Sequence, residues 1–472
     1  MINLLLLPFL ISGFVQKWYI PAGMIGECGR ILVCDTDRDG NYEFFISTYG
    51  GSQKIYFYEL HLPDTWEVDS FPYLNSPLLW DIGDFDLDGF WDLAIQASAT
   101  QSYPTMVISI AESPDSFSYP TQEVWRDTIG FPLVIPVCVF DIDEDGIPEI
   151  VDGNGNGATD FNIFESIGDN IYELIFTGYP PFSSSSTFAF GDFDGDNANE
   201  FIFGNLSGWY AVYECNGDNS YVETHIEQLA TVNIKDCFSV ADADGDGKME
   251  FVVKGFWVYG TIDAFIFEAI GDNTYEIIKT FTLPGGDYYG GYSDAGDVDG
   301  DSIPEIVLEA RQNVFIIKAA GNDSFYVWDT LPGHSSGSNI RVTNDIDGNG
   351  LNEIVISGNN YTRIYEYDGG GIEESREYCV RSTEINISPN PFRGDLKIKF
   401  HSPKKQNISI NIYDVAGRLV KNIYKGKVKG NCTLNWHGDD ENGRIVSDGI
   451  YFIRFEDRYS GTVDVRKVLK VR

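Results

Sequence analysis

The sequence predicts an all-β protein, a seven-bladed β-propeller followed by a small β-sandwich, and three observations lead to this prediction. An acidic nine-residue pattern recurs seven times at intervals of 48–57 residues. Each copy lies between short runs of β-branched and aromatic residues, which are typical of strands. The remaining segment reverses the charge, with 17 basic and 9 acidic residues from Ser388 onward against 15 and 63 before it. Opposite charges in two segments favour two domains with different roles.

The chain begins with an apolar segment, Met1–Val15, which is too short to span a bilayer and has the length of a signal-peptide core. We therefore predict a signal peptide over 1–16, a propeller over 17–378 and a C-terminal domain over 379–472. A buried first strand is the alternative for the apolar segment. No later segment approaches the length of a transmembrane helix, so the sequence predicts an exported protein without a membrane span.

The acidic composition excludes one class of partner. Aspartate and glutamate number 72 against 32 lysine and arginine residues, for a formal net charge of −40. A chain with this charge repels phosphate backbones, so nucleic-acid binding is not expected. It attracts cations instead.

The recurring pattern is D-x-D-x-[DN]-x-x-x-[DE], which places oxygen atoms at alternate positions of a tightly curled loop. Ca²⁺ takes six to eight oxygen ligands with flexible geometry. Side chains at positions one, three and five, the backbone carbonyl at position seven and the carboxylate at position nine are therefore the predicted ligands. Loop by loop they are Asp35, Asp37, Asp39, Asn41 and Glu43; Asp84, Asp86, Asp88, Phe90 and Asp92; Asp141, Asp143, Asp145, Ile147 and Glu149; Asp192, Asp194, Asp196, Ala198 and Glu200; Asp242, Asp244, Asp246, Lys248 and Glu250; Asp297, Asp299, Asp301, Ile303 and Glu305; and Asp345, Asp347, Asn349, Leu351 and Glu353.

Two other interpretations of the pattern are weaker. Asp-Gly pairs also mark hairpin turns, but a turn does not require four spaced oxygen ligands in seven copies. Mg²⁺ resists dehydration and takes fewer protein ligands than Ca²⁺. We therefore predict up to seven calcium ions, one per blade. The sixth and seventh sites are expected to be the weakest, because Ser302 replaces the usual glycine and Asn349 replaces the third carboxylate.

The runs around each loop predict the scaffold. A strand-like run lies on each side of the loop, and two more surround a Gly/Asn/Asp turn, as in FNIFESIGDNIYELIFTG from Phe161. Four antiparallel strands in a unit of about 50 residues are a propeller blade. The last repeat lacks a fourth strand. We predict that Lys17–Ile20 supplies it and closes the ring, with Glu377–Thr383 as the alternative.

The loops and their flanking strands resemble the FG-GAP or VCBS repeats of integrin-α-type propellers over roughly residues 17 to 378. The resemblance implies a seven-bladed propeller with Ca²⁺ between the first two strands of a blade, and it implies no catalytic residue. The C-terminal segment contains SPNPF, IYDVAGRLV, WHGDDENG and SDGIYFIR in this order. It is similar to the C-terminal sorting domain of type IX secretion cargo and to a domain of flagellar hook-cap proteins. This implies an immunoglobulin-like β-sandwich that docks to a secretion apparatus.

No catalytic motif accompanies these features. The five histidines share no spacing with cysteine or acidic residues that predicts a triad or a metal site, so we expect no enzyme. We expect a secreted or surface-displayed calcium-binding propeller that acts in adhesion, with an extracellular glycan or protein as ligand. A carbohydrate-active enzyme, of the polysaccharide lyase or hydrolase type, is the alternative, and a structural surface role comes third. Six tryptophans are candidates for stacking on sugars, although most are expected to pack between blades: Trp66, Trp80, Trp91, Trp125, Trp209 and Trp257.

Overall fold

The computed structural model describes most of the chain. The described residues are 13–23, 29–47, 54–62, 65–98, 106–129, 137–153, 160–182, 186–231, 233–257, 260–285, 291–335, 337–358, 361–369, 385–414, 418–457 and 463–471. They form two compact units, one within residues 12–371 and the other within 372–472. In the described part of the chain, no helix is both long and apolar enough to cross a membrane.

The described part of the first unit contains seven antiparallel four-stranded sheets, the blades of the predicted propeller. Each blade follows the chain from its first strand to its fourth, except that the seventh takes its fourth strand from the N-terminus. The strands are β1 Phe14–Ile20; in blade one β2 Leu32–Cys34, β3 Tyr42–Ser47, β4 Lys54–His61 and β5 Thr65–Pro72; in blade two β6 Asn75–Gly83, β7 Asp92–Ser98, β8 Met106–Glu112 and β9 Gln122–Ile129; in blade three β10 Val137–Phe140, β11 Glu149–Gly153, β12 Phe161–Gly168 and β13 Ile171–Gly178; in blade four β14 Ala189–Gly191, β15 Glu200–Gly204, β16 Trp209–Cys215 and β17 Tyr221–Gln228; in blade five β18 Asp236–Val240, β19 Glu250–Trp257, β20 Thr261–Gly271 and β21 Thr274–Pro284; in blade six β22 Asp294–Gly296, β23 Glu305–Ala310, β24 Asn313–Gly321 and β25 Ser324–Pro332; and in blade seven β26 Asn339–Val342, β27 Glu353–Gly358 and β28 Tyr361–Tyr367.

The N-terminal strand completes the seventh blade, as predicted. β1 pairs antiparallel with β28, so it takes the place of the fourth strand. The strand begins at Phe14, three residues before the predicted segment, and Phe14 is buried against Trp328 and Tyr367. Residues 14–16 of the predicted signal segment therefore belong to a strand. The signal peptide itself and the alternative strand at 377–383 lie outside the described residues.

Neighbouring blades are joined by apolar side chains and by a few buried polar contacts. Between the third and fourth blades, Phe161 packs edge-on against Phe201 and Phe203. Between the seventh and first blades, the Asn339 side chain accepts a hydrogen bond of 3.1 Å from the Ile31 amide and donates one to the Gly29 carbonyl. Burying a phenylalanine stabilises the fold by about 1.5–3 kcal/mol. The blades therefore depend on one another for most of their core.

The second unit is a five-stranded antiparallel assembly, the described part of the predicted immunoglobulin-like sandwich. Alternation along its strands produces the core, since Leu396, Ile398 and Phe400 are buried while Lys397 and Lys399 are exposed. The strands are β29 Ile385–Ser388, β30 Leu396–Asp414, β31 Leu419–Trp436, β32 Gly449–Asp457 and β33 Val463–Lys470.

Candidate metal sites

The seven acidic loops connect the first and second strands of their blades, and the backbone of each loop folds in the same way. The carboxylate at position one accepts a hydrogen bond from the amide at position six in all seven loops, at 2.7–3.1 Å. The side chain at position five accepts one from the amide at position seven. These bonds curl the loop so that its side chains converge. The predicted carbonyl ligands at position seven stay a prediction.

Two positions of each loop have left-handed backbone, which explains where glycine occurs. Position six has φ near +94° where it is Gly40, and Asn197 and Ser302 adopt the same region at +72° and +70°. Position four is also left-handed, with φ of +62° at both Arg38 and Leu87, and the later loops place glycine there. The sequence predicted the requirement at position six and missed the one at position four. Non-glycine side chains disfavour φ > 0, so the hydrogen bonds within the loop must offset this strain.

The carboxylate at position nine is fully buried in all seven loops, and in six of them only one of its two oxygens has a hydrogen-bond partner among the described residues. In all seven blades one of its oxygens accepts a hydrogen bond from the amide at position two, as between Glu149 and Ile142 at 2.5 Å. In six blades the other oxygen is buried and has no hydrogen-bond partner among the described residues. These six residues are Glu43, Asp92, Glu149, Glu200, Glu250 and Glu353. A buried oxygen without a partner is costly, so each of these oxygens requires a cation or a donor.

The spacing of the carboxylates suits calcium. In the third, fourth and fifth loops, the ligand atoms at positions one, three, five and nine all lie within 4.8 Å of one another. Two oxygens on opposite sides of one Ca²⁺ ion, each at about 2.4 Å, are separated by about that distance. The residues present therefore fit calcium, with positions one, three, five and nine as the side-chain ligands.

Burial of position nine raises the pKa of its carboxyl group well above the usual value. The pKa rises to about 8 for Glu149 and for five of its counterparts, chiefly through burial and secondarily through the neighbouring aspartates. In the sixth blade the pKa of Glu305 rises to about 7, because burial is opposed by a hydrogen bond from Lys318. Without a cation, the buried site thus disfavours its own charged form.

The calcium-free protein is therefore expected to lose stability as the pH rises from about 5 to about 9. Between the unfolded pKa of 4.5 and the folded value of about 8, the native state holds more protons than the unfolded chain. The free energy of unfolding therefore falls with rising pH across this window. Calcium binding requires the deprotonated carboxylates, so saturating calcium should remove or reverse the trend. Melting curves at several pH values, with and without calcium, test this; parallel profiles contradict it.

A second acidic residue, which the nine-residue pattern does not predict, faces position nine from the third strand. The strand pairing places Glu59 opposite Glu43, Glu112 opposite Asp92 and Glu165 opposite Glu149. Glu214, Glu268 and Glu366 occupy the same place in the fourth, fifth and seventh blades. Two carboxylates paired across a ladder repel each other unless a cation lies between them. In the sequence, each of these residues is a glutamate that follows an apolar run, 13–20 residues after position nine, and this pattern could have identified them.

The hairpin turn of one blade lies on the acidic loop of the blade before it. The backbone amide of Asn170, in the third blade, donates a hydrogen bond of 2.6 Å to the Asp86 carboxylate in the second loop. The same contact joins Asn219 to Asp143, Asn273 to Asp194 and Asp323 to Asp244, at 2.6–2.8 Å. The sequence predicted these turns as hairpins without a further role. The structure gives them one, because these contacts join each of four loops, the second to the fifth, to the next blade.

The sixth loop contains a cation of its own. The Lys318 ammonium contacts Asp299, lies 2.8 Å from Asp301 Oδ2 and lies 2.9 Å from Glu305 Oε1. Burial works to lower the pKa of Lys318, but the hydrogen bonds to these carboxylates outweigh it and raise the pKa above its usual value. Glu305 Oε1, the oxygen that lacks a partner at position nine of the other six loops, is satisfied here.

Comparison with known protein families agrees with both units. Residues 192–253, which span the fourth and fifth acidic loops, match the model of the FG-GAP-like repeat. Residues 386–470 match the model of the secretion system C-terminal sorting domain. No curated protein matches the chain significantly. A C-terminal sorting domain marks a protein for export, so this chain is a secreted or cell-surface protein that interacts with a secretion apparatus and combines FG-GAP-like repeat sequence with a sorting domain.

Proposed function

We propose that this protein is an extracellular binding module whose propeller is stabilised by calcium and presents a ligand surface outside the cell. The observation that carries the calcium part is the set of six buried position-nine carboxylates, each with one oxygen that no described residue satisfies. Extracellular calcium modules work with weak sites, with dissociation constants of about 10⁻⁴–10⁻³ M.

We place the ligand surface at the end of the propeller opposite the acidic loops. The third strand begins and the fourth strand ends there, and three exposed aromatic side chains lie at this end. Trp209 begins β16 and is 37% exposed, Tyr179 follows β13 and is 72% exposed, and Tyr19 near the end of β1 is 47% exposed. Tyr19 also stacks on Tyr361, with ring centroids 5.8 Å apart. Exposed aromatic rings of this kind favour a sugar ligand.

The other tryptophan candidates divide as the sequence suggested. Trp80 is buried, Trp66 packs edge-on against Phe44 and Trp125 packs against Phe164. Trp91 is half-buried, and the side chain of Trp257 lies outside the described residues. Trp209 is therefore the tryptophan that we assign to ligand contact.

A glycan array with the full chain and saturating calcium tests the proposal. We expect binding that disappears when calcium is chelated and falls about tenfold in Trp209→Ala, since loss of one stacking ring costs on the order of 1.5 kcal/mol. Phe117→Ala is the control, because Phe117 is an exposed ring, 75% exposed against 37% for Trp209, at the end of the propeller that carries the acidic loops. Binding that is insensitive to Trp209 contradicts the assigned surface. Absence of any glycan binding contradicts the glycan ligand and favours a protein ligand, and shortening of a bound polysaccharide favours the enzyme alternative.

A further inference from the structure

The residue on the third strand opposite position nine differs in one blade. It is glutamate in six blades, and the strand register makes it lysine in the sixth, because Ile317 pairs with Ile306 and Lys318 therefore faces Glu305. The Lys318 ammonium is bound to the carboxylates at positions three, five and nine. These are three of the four side chains that would ligate an ion in this loop. The ammonium therefore lies where the cation of the other loops would lie.

We propose that this third-strand residue decides whether a blade takes a calcium ion: glutamate completes a calcium site, whereas Lys318 supplies the positive charge itself, so the sixth blade binds none. The inference rests on the proposed calcium function. It assigns six ions to the propeller instead of seven. It also makes the charge balance of the sixth loop independent of calcium, since its cation is covalently part of the chain.

The glutamates act as ligands on the evidence of the third blade. Glu165 is 6% exposed and its Oε2 atom is buried without a hydrogen-bond partner among the described residues. It lies opposite Glu149, whose Oε1 atom is also unsatisfied. In the second blade, ligand atoms of Glu112, Asp86 and Asp88 lie within 4.8 Å of one another. An ion bound by the side chains of the acidic loop therefore lies within reach of the third-strand carboxylate.

Two other lysines approach acidic loops but do not replace the ion. Lys17 lies 2.8 Å from Glu366 Oε1 and 3.5 Å from Asp347 Oδ2 in the seventh blade. Lys248 binds Glu268 in the fifth blade. In both blades the position-nine oxygen, on Glu353 and on Glu250, still has no hydrogen-bond partner among the described residues. Only a lysine on the third strand satisfies that atom, which is why the sixth blade is singled out among the described loops.

A reciprocal exchange tests the inference, with native mass spectrometry of the full chain counting bound calcium ions. We expect six ions in the wild-type protein, seven in Lys318→Glu and five in Glu165→Lys. A matched pair at position five gives a milder test, because Asp145→Ala, which removes an oxygen ligand, should remove one ion whereas Asp301→Ala should remove none. Circular dichroism establishes that each variant is folded before ions are counted, and the position-five pair decides the question if Glu165→Lys does not fold.

Each outcome bears on a different statement. Seven ions in the wild type, no gain in Lys318→Glu, or loss of an ion in Asp301→Ala overturns the assignment of Lys318 and leaves the calcium proposal standing. A wild-type chain that binds no calcium overturns the calcium function and this inference together. Gain in Lys318→Glu with no loss in Asp145→Ala overturns the loop ligand set.

Discussion

Removing calcium is expected to lower the melting temperature of the full chain by more than about 10 °C. Each site held at one hundred times its dissociation constant stabilises the folded state by about 2.7 kcal/mol, and the sites act on the same cooperative core. Chelation also leaves buried carboxylates such as Glu149 and Glu165 facing each other without a cation. Both effects destabilise the folded state. Differential scanning calorimetry with chelator and with saturating calcium measures the shift.

The controls separate calcium from general ionic effects. Readdition of Ca²⁺ should restore the melting temperature, whereas an equal concentration of Mg²⁺ should restore little of it, because Mg²⁺ demands a smaller octahedral shell. Raising the ionic strength with NaCl should not substitute for calcium. A melting temperature that is the same with chelator and with calcium contradicts the claim that calcium holds the blades.

The Lys254→Ala variant is expected to lose about 3–5 kcal/mol of stability, even in saturating calcium. Lys254 lies fully buried between the fifth and sixth blades, with its ammonium 3.0 Å from Asp236 Oδ2 and 3.4 Å from Glu309 Oε2. It also donates to the Gly291 carbonyl and the Ser293 hydroxyl, each at 2.8 Å. Truncating Lys254 leaves two fully buried carboxylates without their cation. Chemical denaturation in the presence of calcium measures the loss.

Lys54→Ala is the matched control for that variant. Lys54 lies on an exposed position of β4, and among the described residues its ammonium contacts the Ser70 hydroxyl, at 3.3 Å. An exposed lysine with such a contact contributes about 0–1 kcal/mol. A Lys254→Ala variant as stable as Lys54→Ala would show that the two carboxylates find other partners or take up protons.

Much of the candidate site followed from the sequence because its ligands are close together along the chain. Positions one to nine span a single loop, so the recurring pattern of aspartates predicts the loop, its turn and its ligands. The third-strand residues Glu165 and Lys318 were missed, because their distance along the chain from position nine varies with strand and turn length. The contact between Asn170 and Asp86 was missed because 84 residues separate them. Strand pairing and blade packing bring such residues together.

The strand-rich class, the number of repeats, the acidic loops and the sorting domain could be predicted from the amino-acid sequence alone, since each depends on a local pattern or on an ordered set of motifs. The tertiary structure decided which carboxylates are buried, which oxygens lack a donor and which loop already holds an ammonium. It also moved the start of the last blade's outer strand to Phe14. These properties depend on what surrounds a side chain in space, which no local pattern encodes. A buried oxygen requires a cation because the neighbouring strands remove it from water.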